Sequence, residues 1–159
     1  MPRESLITPE GLVQLKAELE ELQTVRRREV AERIKEAREF GDISENSEYD
    51  DAKNEQAMLE QKIALMERRV REARVIDAKD LDGSAVAVGV RVHVKDERTG
   101  DSKKFQVVGS AESDLTAGRL SHESPIGRAL MGQKRNKVVE VEVPQGPKRK
   151  LKITKIETP

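Results

Sequence analysis

The residues with the clearest chemical potential form one acidic stretch between positions 39 and 51. It holds six carboxylates in thirteen residues and no Lys or Arg. Within it, Asp42 and Glu45 are spaced so that two side chains at a helix start can converge on one side. Carboxylate oxygens are hard ligands suited to Mg²⁺, which keeps several waters. Because two carboxylates alone make a weak site, the pattern predicts a share in a metal site that a partner completes.

A second interpretation of these acids needs no metal. Asp42-x-x-Glu45 fits a capping box for a following helix, and acids in a first helical turn suit the helix dipole. Local chemistry alone favours capping for Asp42, whereas metal binding depends on clustering and position. The two roles can coexist because capping can orient the carboxylates.

Two long helices are predicted on either side of the stretch. Thr8 and Pro9 suit the N-cap and the first residue of the first helix. Its apolar seam, the row of apolar residues along one face, consists of Leu12, Leu15, Leu19, Leu22, Val30, Ile34 and Ala37. The regular spacing of this seam slips near Arg26. The second helix carries Ala52, Gln56, Leu59, Ile63, Met66, Val70 and Ala73. The spacing predicts an antiparallel coiled-coil hairpin ~45 Å long, with the acidic stretch at its far end.

The second half of the chain has strand periodicity instead. Valines alternate from 86 to 94, and further strands are predicted around Phe105, over 139–143 and over 151–153. Turns are predicted at 96–100 and 144–149. The pair Ser124-Pro125 predicts a short helix that ends before Gly132. The fold class is therefore α+β, a hairpin domain over 1–76 and a small, mostly antiparallel β domain with one short helix over 85–159, joined by a polar linker over 77–84.

Composition limits the possible functions. Charged residues make up 38% of the chain and the net charge is zero, which argues against wrapping duplex DNA through phosphate contacts alone. A local basic patch remains compatible, because residues 1–76 carry 14 basic and 18 acidic groups and the rest carries 16 and 12. The chain has no Cys, so disulfides are excluded. Without an apparent signal peptide or membrane span, we expect a soluble, cytoplasmic protein.

Two separated motifs resemble the Gre family of transcript-cleavage factors. Residues 41–49 (GDISENSEY) match the family's Gly-Asp-hydrophobic-Ser-Glu-Asn-x-Glu-Tyr tip pattern. Residues 124–132 (SPIGRALMG) resemble its Ser-Pro-Ile-x-x-Ala-Leu segment. The predicted closing strands over 138–157 also fit. The resemblance spans essentially the whole chain and is closer to the GreA branch than to the GreB branch.

The resemblance implies a fold and a function. The family has an N-terminal coiled coil and a C-terminal domain similar to FKBP, without assumed isomerase activity. That domain docks at the rim of the secondary channel of bacterial RNA polymerase, and the coiled coil enters the channel. Its tip stimulates the polymerase's own cleavage of backtracked RNA near the 3′ end. We therefore expect a monomer that is not itself an enzyme and binds no membrane.

The resemblance also assigns roles by position. Asp42 and Glu45 match the acids that help hold the second Mg²⁺, jointly with the polymerase, and position water. The supporting tip residues are Ser44, Asn46, Glu48 and Tyr49. The polymerase-docking residues are Ser124, Pro125 and Ile126.

Basic and aromatic residues near the tip have two possible roles each. The basic set could follow RNA phosphates or the channel wall, although interspersed glutamates favour pairs within the helix. This set consists of Arg26, Arg27, Arg28, Arg33, Lys35 and Arg38. Phe40 and Tyr49 either pack together beneath the tip or stack on bases, and packing is favoured.

Two other functions use the same fold. One is a channel-binding inhibitor of polymerase that contributes nothing to cleavage. The other is a coiled-coil adaptor whose tip acids only cap a helix.

Overall fold

A computed structural model describes residues 5–39, 46–144 and 146–159. The chain divides into two compact units. One contains the residues up to Leu12 together with those from Ala73 onward, and the other is Val13–Glu72. No helix in the described part of the chain is long and apolar enough to cross a membrane.

The helical unit has the predicted hairpin. Its elements are α1 (Pro9–Glu21), a π-helical segment (Leu22–Arg26), α2 (Arg27–Glu39) and α3 (Ser47–Glu72). Val30, Ile34, Ala52, Leu59 and Ile63 form its buried core. The heptad positions therefore face each other, as the spacing indicates.

Polar contacts between the helices establish their direction. Gln23 donates to Glu67 at 2.9 Å, and Arg27 donates to Glu60 at 2.9 Å. Further along, Arg33 donates to Glu55. Donors later in the first helical segment thus pair with glutamates earlier in α3. The two segments are therefore antiparallel, and the predicted hairpin is confirmed.

The π-helical segment explains the slip of the seam. A strict heptad continued from Leu22 would place apolar residues at 26, 29, 33 and 36. The buried residues are instead Val30, Ile34 and Ala37, each one position later. A π-bulge accommodates one additional residue without ending the helix, so the core seam resumes one residue out of register.

The other unit is built on a five-stranded sheet. Its strands are β3 (Arg91–Asp96), β4 (Ser102–Val108), β5 (Arg119–Ser121), β6 (Val138–Val141) and β7 (Arg149–Glu157). The spatial order is β5-β4-β3-β7-β6, and every pair is antiparallel except β4-β5. The short helix α4 spans Pro125–Leu130. The predicted fold class is thus confirmed.

Two short strands in this unit were not predicted. Strand β1 (Ser5–Ile7) pairs in parallel with β2 (Ala73–Val75). The backbone N–H of Ile76 extends the pair to the Ile7 carbonyl at 3.0 Å. The prediction of Ala73 as a seam position of the second helix is therefore wrong, because that helix ends at Glu72 and Ala73 begins β2.

The predicted strand over 86–94 is also partly wrong. Val86, Val88 and Val90 are buried, but only the residues from Arg91 onward form β3. Gly89 has a φ of 106°, a left-handed conformation that interrupts an extended strand. The alternation of valines therefore reflects burial on both sides of a turn and not one continuous strand.

Candidate functional site

The acidic connection lies between the end of α2 and the start of α3. Asp42, Ser44 and Glu45, together with Phe40, fall outside the described residues. In the sequence these residues lie between Glu39, which ends α2, and Ser47, which begins α3. The end of α2 and the start of α3 are the described parts of the site.

Asn46 links these two helix ends. Its side-chain oxygen accepts a hydrogen bond from the backbone N–H of Tyr49 at 3.2 Å, which is the contact of an N-cap residue. Its side-chain nitrogen donates to the carbonyl of Ala37 in the last turn of α2. Asn46 is therefore the N-cap of the described start of α3. The predicted capping box of Asp42 and Glu45 lies outside the described residues and stays a prediction.

The other two described tip residues have different environments. Tyr49 packs against the buried core of the hairpin, and the Lys53 ammonium lies 5.9 Å from the centre of its ring. Tyr49 thus packs on the hairpin core, whereas the predicted packing of Phe40 against Tyr49 lies outside the described residues. Glu48 is exposed and lines a cavity of about 310 Å³ with Arg33, Glu36 and Ala37.

The basic set is divided by its contacts. Arg26 pairs with Glu29 at 2.6 Å within its own helical run and with Glu55 of α3 at 3.0 Å. Arg27 and Arg33 also pair with glutamates of α3. The described residues thus include an intrahelical pair, as expected, and also three pairs that cross the hairpin, which the sequence did not predict.

The rest of the basic set faces solvent. Among the described residues, no ion-pair partner within 4 Å is found for Arg28, Lys35 or Arg38, and all three are exposed. Within the described ranges, these three members of the basic set carry charges that no ion pair neutralises. Contact with RNA or a channel wall stays a prediction.

The cross-hairpin pairs shift the pKa values of their carboxylates. The hydrogen bond from Arg33, with a further one from Arg26, lowers the pKa of the Glu55 carboxyl below its ordinary value. Arg27 lowers the pKa of Glu60 in the same way. Because Glu60 is exposed and Glu55 is partly exposed, solvent screening limits what each pair contributes to stability.

The predicted docking residues lie at the start of α4. The Ser124 hydroxyl accepts from the Gly127 N–H at 3.0 Å and donates to the Ser121 carbonyl at 2.7 Å. Pro125 occupies the first turn, as predicted. A Cβ on Gly127 would overlap the Ser121 carbonyl, so this corner requires glycine.

Ile126 joins the corner to a cavity that the sequence did not indicate. It packs partly against the sheet core and lines a space of about 250 Å³. Asp96, which is only 7% exposed, and Arg149 form an ion pair at 3.3 Å there. The two residues lie on separate strands, 53 positions apart, and no local sequence signal connects them.

Hydrogen bonds hold the Asp96 carboxylate in its charged form. It accepts from the backbone N–H groups of Arg98 at 2.9 Å and Thr99 at 3.3 Å. The hydrogen bond from Arg98 contributes most to lowering the pKa of Asp96 below its ordinary value. The bond from Thr99 and the contact with Arg149 lower this pKa further. The turn at 96–100 was predicted correctly, and this aspartate is what closes it.

Together these features define a class of two-part proteins, in which one unit is a helical hairpin with an acidic connecting sequence and the other is a sheet unit that contains a cavity. Comparison with known proteins agrees. The family description "Transcription elongation factor, N-terminal" matches residues 5–75. The description "Transcription elongation factor, GreA/GreB, C-term" matches residues 81–158.

Two individual relatives, both named as GreA, support the same assignment. Transcription elongation factor GreA of Thermoanaerobacter pseudethanolicus is 51% identical over 98% of this chain and 99% of its own length. GreA of Caldanaerobacter subterraneus subsp. tengcongensis is 50% identical over the same shares. Among solved structures, GreA factor homolog 1 (Gfh1) of Thermus thermophilus is 29% identical, with a TM-score of 0.44 and coverage of 98% and 99% of the two chains.

The chain belongs to the GreA/GreB family of transcription elongation factors. Stimulation of transcript cleavage is the role of this family, and RNA polymerase is the protein on which Gre factors act. The resemblance inferred from the two motifs is confirmed.

Proposed function

We propose that this chain inserts its hairpin into the secondary channel of RNA polymerase and places Asp42 and Glu45 at the polymerase active centre. In this proposal the chain is not itself an enzyme. It supplies acidic groups to a partner that cleaves the 3′ part of backtracked RNA, so that elongation resumes. The sheet unit docks at the channel rim through Ser124, Pro125 and Ile126.

The observation that carries the proposal is the cap supplied by Asn46. A helix start needs acceptors for its free backbone N–H groups, and Asn46 already accepts from Tyr49. The N-cap position of α3 is therefore supplied by Asn46 itself. With the N-cap position taken by Asn46, the proposal assigns Asp42 and Glu45 a chemical role.

The carboxylates suit a divalent cation. Asp42 and Glu45 would hold Mg²⁺ jointly with polymerase groups, since hard oxygen ligands match this ion and two protein carboxylates leave room for waters and phosphate oxygens. When bound, such an ion activates water and stabilises the leaving oxygen in phosphoryl transfer. The side chains would orient the water, and Ser44 and Glu48 would support them.

A cleavage assay on backtracked elongation complexes tests the assignment. We expect Asp42→Asn and Glu45→Gln each to reduce RNA shortening at least about 100-fold, the scale of one lost electrostatic group in an active site. Binding to polymerase should remain within about twofold of wild type, because docking uses the other unit. Unchanged cleavage in both variants would contradict the catalytic roles.

Asp51→Asn is the matched control. Asp51 is exposed in the second turn of α3, and its substitution removes one negative charge close to the same connection. It should leave cleavage nearly unaltered. Equal losses in all three variants would mean that general acidity of the tip is what matters, and not two specific ligands.

The same assay separates the other two functions. A channel-binding inhibitor would slow synthesis without shortening backtracked RNA. An adaptor would retain full activity in Asp42→Ser, which preserves capping capacity, whereas the proposed role predicts a severe loss. The Asn46 cap favours the cleavage role over the adaptor role.

A further inference from the structure

We propose that the outward face of the five-stranded sheet binds the phosphate backbone of duplex DNA. This face is defined here by the residues that alternate with the buried ones on β3, β4, β6 and β7. Val92 and Val94 face the core, so Arg91, His93 and Lys95 face the other way. Pairing extends this face across the neighbouring strands.

The register groups cations on the outward face. His93 lies opposite Lys104 of β4 and Lys155 of β7. In the next row, Lys95 lies opposite Lys152. The basic residues of the face are Arg91, Lys95, Lys104, Lys150, Lys152 and Lys155, and its acids are Glu140 and Glu157.

Most of these cations have no ion pair within the described ranges, although Glu157 lies 3.3 Å from His93 and also interacts electrostatically with Lys104. Lys155 pairs with Glu157 at 2.8 Å, and Glu140 pairs with Lys148 at 3.9 Å. Within the described ranges, no ion pair within 4 Å involves the other five, which are Arg91, Lys95, Lys104, Lys150 and Lys152. Like charges on adjacent strands repel one another, so the face is arranged for an external anion.

The composition of the face selects a nucleic acid over a protein. Protein interfaces centre on apolar and aromatic residues and are depleted in lysine. Apart from Val138, which is 42% exposed, the paired outward positions are polar or charged. The same shortage of apolar anchors disfavours a membrane surface.

Shape and chemistry select a duplex over a single strand. Sequence-independent binding of single strands uses aromatic platforms for the bases, and Phe105, the aromatic residue of this sheet, faces the core. The cations spread over three strands, about 10 Å across and about 15 Å along β7. That spread matches phosphate rows on the two sides of a B-form major groove, which is about 12 Å wide.

The test measures binding of the whole chain, without polymerase, to a labelled duplex DNA by fluorescence anisotropy over a series of salt concentrations. Lys95→Gln/Lys152→Gln is the test variant. Each phosphate contact contributes about 0.9 to the slope of log K against log salt, so the slope should become less steep by about 2. Affinity at low salt should fall several-fold.

Lys16→Gln/Lys79→Gln is the matched control with the same change in net charge. Both lysines are exposed and lie off the sheet, so binding should stay near the wild-type value. An equal loss of DNA affinity in both double variants would overturn the proposal. It would show that binding depends on the net charge of the chain and not on the outward face. Tighter binding of a single-stranded RNA with the same number of phosphates would overturn the assignment to duplex DNA.

This inference is independent of the tip. Asp42→Asn should bind the duplex like wild type, whatever its effect on cleavage. Failure of the cleavage role and failure of the DNA contact are therefore distinguishable.

Discussion

The carboxylate of Glu112 accepts hydrogen bonds from both the backbone N–H and the hydroxyl of Thr8, 104 residues earlier in the chain. The Thr8 hydroxyl oxygen in turn accepts from the Gly11 N–H at 3.1 Å, as expected of an N-cap. Glu112 also accepts from the Gly109 N–H at 3.1 Å. The first turn of α1 is thus fixed by a residue from the opposite half of the sequence.

Gly11 tests this arrangement. Replacing a helical glycine by alanine ordinarily stabilises a helix by about 1 kcal/mol. A Cβ on Gly11 would overlap the Glu112 side chain, so we expect Gly11→Ala to destabilise the protein by about 1–2 kcal/mol through the lost hydrogen bonds. Urea denaturation measures the change.

The control is a double-mutant cycle with Glu112→Ala. With the carboxylate removed, Gly11→Ala should become stabilising. The same sign in both backgrounds would show that Glu112 does not occupy the space above Gly11.

A deletion tests the π-helical segment. Removing Thr24 leaves seam residues at uninterrupted heptad spacing from Leu15 onward, so we expect the hairpin to keep or gain stability. Removing Ala31, beyond the segment, moves Ile34 and Ala37 off the seam and should cost several kcal/mol. Circular dichroism during thermal unfolding separates the two outcomes, and equal losses would contradict a π-bulge as the cause of the slip.

Asn46 should stabilise the first turn of α3. Asn46→Ala removes the cap and the contact with the Ala37 carbonyl, and we expect a cost of about 1–2 kcal/mol with faster hydrogen exchange in the first turn of α3. Asn46→Asp keeps the acceptor and should recover part of the loss. Asn54→Ala, at an exposed site within α3, should be neutral or stabilising, and a loss there equal to that of Asn46→Ala would argue against a cap.

The Asp96 pair predicts a pH dependence. The native pKa of Asp96 is lowered, so its stabilising effect is present above the ordinary pKa of about 3.9 and is lost as the pH falls towards the native value. Asp96→Asn should therefore destabilise at neutral pH, and its gap from wild type should shrink below about pH 4. Urea midpoints across this range measure it, with exposed Asp101→Asn as the control. A gap independent of pH would contradict the role of the charge.

Local patterns predicted much of this molecule. Apolar spacing revealed the hairpin because each seam residue signals its face within one or two turns. Ser124 and Pro125 predicted α4 because capping is a local interaction. The slip near Arg26 was visible in the sequence, but its cause was not, since a π-bulge has no residue signature of its own.

Contacts distant in sequence were missed. β1 and β2 are three residues each, too short for an alternation to be recognised. Glu112 accepts hydrogen bonds from Thr8, and Asp96 pairs with Arg149. In both cases only the tertiary fold brings the two residues together. At the tip the sequence revealed the acids and the motif, but it did not single out Asn46 as the N-cap of α3, because Asn and Asp both suit that position.

The bond between Glu112 and Thr8 has a consequence for biosynthesis. The N-terminus of a nascent chain emerges from the ribosome first, and domains fold as their residues emerge. More than a hundred residues must be translated after Thr8 before Glu112 exists. The opening turn of the first helix therefore waits for the later half of the nascent polypeptide, and a product truncated before that point leaves the ribosome with this helix end unfinished.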